Sequence, residues 1–307
     1  MLQTKLYTGS DFPELLDETS GKFIKLPEKF SLEGFEPSQN PMVPMVHKDY
    51  VFTKSLFRDV ALFLARPHGH ALWLAGPTGS GKTSVIAELA GRLNYPVYSI
   101  TCNSRMEFDD LVGRPMVISK PGEQPSVKFI YGPLARAMKS GGILLLNEVD
   151  LCDPAQLSGL NDVLEGRPLT ITQNGGEQIQ PHPMFRVVVT ANSAGNGDET
   201  GSYTGVLSQN VAAMDRYRLM RVDYLSEGIE TVLLKKLFAD FDRACKMREQ
   251  NSQVLYRRRV NGSYEHSLFV LLDRTYARLC RFAESCKGCF KTLLCKSLKC
   301  CGTNRCF

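Results

Sequence analysis

The chain has 307 residues, 43% hydrophobic and 22% charged, with a formal net charge of +5. That balance is ordinary for a folded globular protein of about two domains. The absence of any apolar run of about 18 residues excludes a helical membrane span, and without a dense basic stripe the modest charge does not point to nucleic acid. The first residues, Met1-Leu-Gln-Thr-Lys-Leu-Tyr7, lack the apolar core of a signal peptide, so a cytoplasmic protein is expected. Disulfides are not expected in that compartment.

Residues 1–45 show no sustained periodicity and carry Pro13, Pro27, Pro37, Pro41 and Pro44, which predicts an irregular N-terminal arm. From Tyr50 to Leu64, Leu56, Val60, Phe63 and Leu64 fall at helical spacing. The apolar run His70–Ala75 reads as a buried strand. It leads into Gly76-Pro77-Thr78-Gly79-Ser80-Gly81-Lys82-Thr83, which fits G-x-x-x-x-G-K-[ST], and the next segment, from Ser84 to Leu93, has a helical apolar face. Strand, glycine loop and helix are the context a phosphate-binding loop requires. Its glycines let successive backbone N–H groups and a helix N-terminus face a polyphosphate. Lys82 then reaches the β- and γ-phosphates of a nucleotide, and Thr83 holds Mg²⁺.

A short strand is predicted over Tyr95–Thr101. Two β-rich pieces around a Pro/Gly turn between Arg114 and Gly132 predict a hairpin. A short helix follows from Gly132, with Pro133 suited to its first turn. Ile143-Leu-Leu-Leu146 reads as a central parallel strand ending in Asn147-Glu148, at the edge where open α/β sheets bind ligands. Asn147 stands where a Mg²⁺-associated Asp is usual, and Glu148 where a carboxylate activates the attacking water. Asp153, Pro154 and Gly166 punctuate one helix over 153–166. Asn174-Gly-Gly176 marks a second hairpin. Phe185–Ala191 is another buried strand, ending at Asn192. An isolated asparagine there is most often a turn former, but beside the Asn147 strand it is placed to touch a γ-phosphate or the attacking water. A helix around Gly205–Met214 and a strand over Leu219–Val222 flank Asp215-Arg216-Tyr217-Arg218. Helical spacing resumes from Ser226.

This order, phosphate loop, Asn147-Glu148, Thr190-Ala-Asn192 and Met214-Asp-Arg216, resembles the AAA+ ATPases. The two hairpins resemble the helix-2-insert branch, which holds the MoxR-type, chelatase and dynein-related groups. The runs Ile179–Arg186 and Thr190–Gly205 are similar to those of CobS subunits of aerobic cobaltochelatase.

The resemblance implies an α/β fold, an AAA+ P-loop NTPase core with a parallel sheet, flanking helices and two hairpin insertions, plus a small C-terminal helical lid. The expected divisions are 1–45 (arm), 46–225 (core), 226–285 (lid) and 286–307 (cysteine-rich tail). It implies a Mg-dependent ATPase whose cofactors are ATP and Mg²⁺. The nucleotide is held by Gly76, Pro77, Thr78, Gly79, Ser80, Gly81, Lys82, Thr83 and Ser84, and the metal by Thr83 and Asn147. Glu148 and Asn192 serve the attacking water, and Arg216 is a finger reaching a neighbour's nucleotide, with Arg218 in reserve. A finger in trans implies a ring, the family's hexamer, that remodels a partner protein, often one with a von Willebrand factor A domain. Neither membrane nor nucleic acid is an expected partner.

The alternatives are the ATPase subunit of a cobalt or magnesium chelatase, and a nucleotide-gated assembly module with little turnover. Two departures bear on the choice. Asn147 brings no negative charge to the metal. No Ser-Thr-Arg lid sensor follows residue 226, where Arg278 and Arg281 are the substitutes. The tail holds one C-x₂-C pair, Cys286 and Cys289, without a well-spaced second pair for zinc.

Overall fold

Five parallel strands, the inner three buried on both faces, form the frame on which the chain is built. The computed structural model describes residues 3–67, 71–119, 124–195, 197, 207–230 and 232–233. All of them fall in the compact unit Met1–Leu237; the second unit, Phe238–Phe307, lies outside the described residues. The readings for Arg278, Arg281 and the cysteine-rich tail, and nearly all of those for the lid, lie outside them as well.

The N-terminal segment corrects the expected irregular arm. It carries β1 (Thr4–Thr8), β2 (Leu15–Asp17), β3 (Lys22–Ile24) and β4 (Ser31–Phe35), paired antiparallel as β1 with β4 and β2 with β3. Strands this short give no readable period, and β1 meets its partner only after more than twenty intervening residues. The segment is stitched to the core by Leu16 N–H to the Phe52 carbonyl (2.8 Å) and Phe35 N–H to the Leu93 carbonyl (2.8 Å). Phe12 packs edge-on against Phe57 at 5.4 Å, and Phe35 against Tyr95 at 5.1 Å.

Helix α1 (Lys54–Ala65) begins four residues later than its periodicity suggests, because Thr53 is extended and bridges Leu16. Then follow β5 (Ala71–Ala75), α2 (Lys82–Arg92), β6 (Val97–Thr101) and α3 (Phe108–Val112). The first hairpin is β7 (Gly113–Ile118) with β8 (Ser126–Tyr131), as expected. Helix α4 (Pro133–Ser140) leads to β9 (Ile143–Asn147).

The helix expected over 153–166 is instead α5 (Pro154–Leu157), a 3₁₀ turn at Ser158–Leu160, and α6 (Asn161–Leu164). The break has a local cause. The Ser158 hydroxyl donates to the Ala155 carbonyl at 2.6 Å, competing with the helical ladder. A Cβ on Gly159 would come within 2.7 Å of the Phe108 ring. The second hairpin joins β10 (Leu169–Ile171) to β11 (Glu177–Ile179). Strand β12 (Arg186–Ala191), helix α7 (Val211–Met214) and strand β13 (Tyr217–Arg221) complete the described core.

The sheet order is β13-β5-β12-β9-β6, all parallel. Side chains alternate between two cores. Ala71, Trp73, Leu144, Leu146, Val187 and Val189 face one, with α3, α4 and the hairpins. Leu72, Leu74, Ile143, Leu145 and Val188 face the other, with α1, α2 and the N-terminal segment. Parallel strands covered on both sides account for the continuous apolar runs in the sequence. The hairpins are fastened to each other through Glu177, which accepts from Tyr131 (2.8 Å), Asn174 (2.6 Å) and Lys139 (2.7 Å). Lys139 also lies 3.7 Å from the centroid of the Tyr131 ring. Among the described residues no helix is long and apolar enough to cross a membrane.

Candidate nucleotide site

Register sets the site. Ala191 is level with Ala75, and the Gly76 N–H donates to the Ala191 carbonyl at 3.2 Å, so β5 and β12 end side by side. β9 lies against β12 on its other side. The chain leaving each strand therefore brings the 76–84 loop, Asn147-Glu148 and Asn192 to one edge.

Gly76 must lack a side chain, since a Cβ would sit 2.0 Å from the Val222 carbonyl oxygen. Gly81 precedes the first residue of α2 at φ +90°, a left-handed conformation that L-residues rarely take. The Lys82 ammonium is turned into its own loop, donating to the carbonyls of Gly76 (2.5 Å) and Pro77 (2.9 Å). Burial pulls its pKa below the ordinary lysine value, opposed by the charges of Asp150 and Glu148. The Ser80 hydroxyl is buried and has no hydrogen-bond partner among the described residues. Tyr224 donates its phenol proton to the Thr78 carbonyl at 2.8 Å.

Thr83 donates to the Asn147 amide oxygen at 3.2 Å, and Thr190 donates to the same oxygen at 3.3 Å. The Asn147 amide N–H donates to Ser99 at 2.9 Å, which fixes the amide with its oxygen toward Thr83. A hydroxyl and an amide oxygen so paired are ligands of the hard type Mg²⁺ takes, and the residues fit that ion. Glu148 is exposed and sits in the left-handed region at φ 55°. For a non-glycine residue that costs about 1 kcal/mol or more, of a kind concentrated at functional sites. Its carboxylate has no hydrogen bond or ion pair within the described residues. The Asn192 amide oxygen accepts from the Thr78 hydroxyl at 3.3 Å.

Arg216 lies elsewhere. Its carbonyl accepts the Ala71 N–H at 3.0 Å, at the start of β5, whereas the phosphate loop leaves that strand's far end. Five strand residues separate the two ends, roughly 16 Å. Its guanidinium is held by Glu165 (Nε 2.9 Å, Nη2 2.5 Å), and Arg167 lies 2.7 Å from the same carboxylate. The bond from Arg216 holds the Glu165 carboxyl below its ordinary range.

Asp150, to which no sequence motif assigns a role, is fully buried and holds the backbone of Asn192. An acid flanked by Val149 and Leu151 in a short apolar turn was the available signal. Nothing in the sequence marked Tyr224 or Thr190 as partners of the loop and of Asn147. Among the described residues no cluster of three or more His, Cys, Asp or Glu could hold a metal.

The profile of the AAA domain (dynein-related subfamily) matches residues 71–204, from β5 through the Asn192 turn. A protein of uncharacterised function from Staphylococcus haemolyticus is 30% identical over 194 residues, covering 62% of this chain and 70% of its own length. The chain belongs to the dynein-related AAA family. A second uncharacterised relative of this AAA protein, from Staphylococcus epidermidis, is 31% identical over 196 residues, covering 64% of this chain and 70% of its own. The aerobic cobaltochelatase subunit CobS of a Sinorhizobium species is 28% identical over 263 residues, covering 80% of this chain and 78% of its own length. The five-stranded parallel sheet with flanking helices is the AAA+ P-loop NTPase fold. Asn147 falls inside the stretch that the family profile matches.

Proposed function

We propose that this AAA protein is a cytoplasmic Mg-dependent ATPase that acts as a hexameric ring and uses hydrolysis to remodel a partner protein. The observation that carries this reading is the convergence of the 76–84 loop, Glu148 and Asn192 at one sheet edge, joined through Thr78 to Asn192 and Thr83 to Asn147. On this reading the backbone N–H groups of the loop and the α2 N-terminus bind the phosphates, and Lys82 exchanges its loop carbonyls for phosphate oxygens. Thr83 and Asn147 hold Mg²⁺, which supplies charge neutralisation on the nucleotide. Glu148 takes the proton of the attacking water, and Asn192 orients that water. The chain's contribution is positioning and electrostatics rather than covalent chemistry.

Arg216 is too far from its own loop to assist, which supports its use on a neighbour's nucleotide and therefore a ring. A partner with a von Willebrand factor A domain is the occupant suggested by the MoxR group. Two further readings have their own support. The similarity to CobS favours the ATPase subunit of a cobalt or magnesium chelatase. The uncharged Asn147 favours a nucleotide-gated assembly module with little turnover.

The deciding experiment is phosphate release from Mg·ATP by the wild-type chain and by Glu148→Gln. A wild-type rate well above the variant supports the ATPase. Equal rates with intact nucleotide binding support the gated module instead.

A further inference from the structure

Asp150 sits two residues after Glu148, in the 3₁₀ turn Val149–Leu151, and is fully buried. Its Oδ2 accepts the backbone N–H of Asn192 at 2.8 Å and that of Ser193 at 3.3 Å. Its own carbonyl accepts the Leu207 N–H at 2.8 Å. Its Oδ1 is buried with no hydrogen-bond partner among the described residues.

Filling space does not account for a carboxylate here, because a buried charge with one oxygen unpaired is costly. Bonds from N–H groups to an ionised acceptor are shorter and stronger than neutral ones. The 2.8 Å bond from Asn192, with the longer one from Ser193 on the same oxygen, ties the Glu148 turn to the end of β12. The link extends further, since Asn192 is also bonded to Thr78 of the phosphate loop. Glu148 itself stands in a left-handed conformation that the local chain does not favour, so its turn needs an outside anchor.

We propose that Asp150 is a positioning residue that fixes Glu148 relative to Asn192, so that both meet the same water. This rests on the hydrolytic reading given above. Asp150 touches no reacting atom; it acts through the backbone of its neighbours.

The test uses the full chain with Asp150→Ala and Asp150→Asn. Binding of a fluorescent ADP analogue checks folding, steady-state phosphate release gives kcat and KM, and amide hydrogen exchange reads the 190–195 segment. In Asp150→Ala, nucleotide affinity and KM stay within about threefold of wild type. Its kcat falls about 30-fold or more, the scale of loss when reacting groups are displaced by about 1 Å. Exchange at Asn192 and Ser193 speeds up. Asp150→Asn keeps an oxygen for the same two N–H groups and returns kcat and exchange to within about fivefold of wild type. If Asp150→Ala does not fold, Asp150→Thr, which keeps more of the volume, carries the same expectation.

An Asp150→Ala protein that binds nucleotide and keeps its kcat overturns the proposal while leaving the ATPase reading intact. So does a loss of kcat with unchanged exchange at Asn192 and Ser193, or an Asp150→Asn as impaired as the alanine variant. A wild-type rate no higher than that of Glu148→Gln overturns both readings together.

Discussion

The Thr83 hydroxyl donates to the Asn147 amide oxygen across 3.2 Å, linking the first turn of α2 to the end of β9. The contact has the form of a phosphate-loop threonine meeting an acid, but here the acceptor is neutral. Replacing it by aspartate adds one negative charge to the ligand set beside Glu148 and Asp150. In a partly solvated site that is worth about 1–2 kcal/mol toward a divalent cation, roughly tenfold in affinity. Asn147→Asp should lower the Mg²⁺ concentration for half-maximal phosphate release by about that factor. With Mg²⁺ removed by chelation, the same variant should melt below wild type, because the added carboxylate then has no cation to offset its charge. Both outcomes are read by a metal titration and by thermal unfolding with and without EDTA.

The Arg216–Glu165 pair predicts complementation between subunits. Arg216→Ala alone should lose about 10³-fold or more in kcat, with the fold of its own phosphate loop unchanged because the residue stands at the other end of β5. Glu148→Gln should be equally inactive. A mixture of the two contains interfaces pairing an intact Glu148 with an intact Arg216 from the neighbour, so phosphate release should reappear on mixing. Two inactive proteins that stay inactive in a mixed ring would argue against a finger in trans. The pair itself holds at neutral pH. Glu165's pKa is depressed, so the pair is lost only as pH falls through and below the ordinary carboxylate range.

Lys82 predicts an alkaline limb. Burial lowers its pKa, so the free protein loses this charge at a lower pH than an ordinary lysine does. Phosphates favour the charged form, and binding above that pH must take up a proton. Nucleotide affinity should therefore fall as pH rises, beginning below the usual lysine range. In Lys82→Arg, whose guanidinium stays charged, the limb should vanish even if affinity is lower overall. A fluorescent-nucleotide titration across the alkaline range separates the two.

Phe35 tests whether the N-terminal strands are part of the core. The ring is fully buried against Tyr95, and its backbone N–H is bonded to Leu93. Phe35→Ala should cost about 3–5 kcal/mol, the range for an emptied aromatic site. Chemical denaturation would show it as a lower midpoint. A change under about 1 kcal/mol would mean that the segment is only loosely applied to the domain.

What the sequence made legible follows from physics that acts locally. Leu144–Glu148 and Val187–Asn192 could be read because strands buried on both faces are unbroken apolar runs that stop at the ligand edge. Gly76–Thr83 could be read because wrapping a phosphate demands glycine at fixed places. The hairpins announced themselves through their turns. The strands around Leu6 and Leu32 could not be read, since their pairing joins residues far apart and each is too short to carry a period. Asp150 was visible as a letter, but its burial depends on where β12 ends. The break at Ser158–Gly159 depends on the Phe108 ring, from a different helix. Arg216 was recognised by its place in the series, while its partner Glu165 lies 51 residues away and has no motif of its own.

Trp73 is the chain's single tryptophan, and its indole N–H is bonded to the Ser193 carbonyl at 3.1 Å. The ring is buried and meets Tyr217, the neighbour of Arg216, edge-on at 5.3 Å. All indole emission of this protein therefore comes from one chromophore wedged between the Asn192 turn and the strand that begins just after Arg216. The molecule contains its own optical gauge. A change in ultraviolet fluorescence on adding nucleotide reports that one junction, with no label attached and no background from a second site.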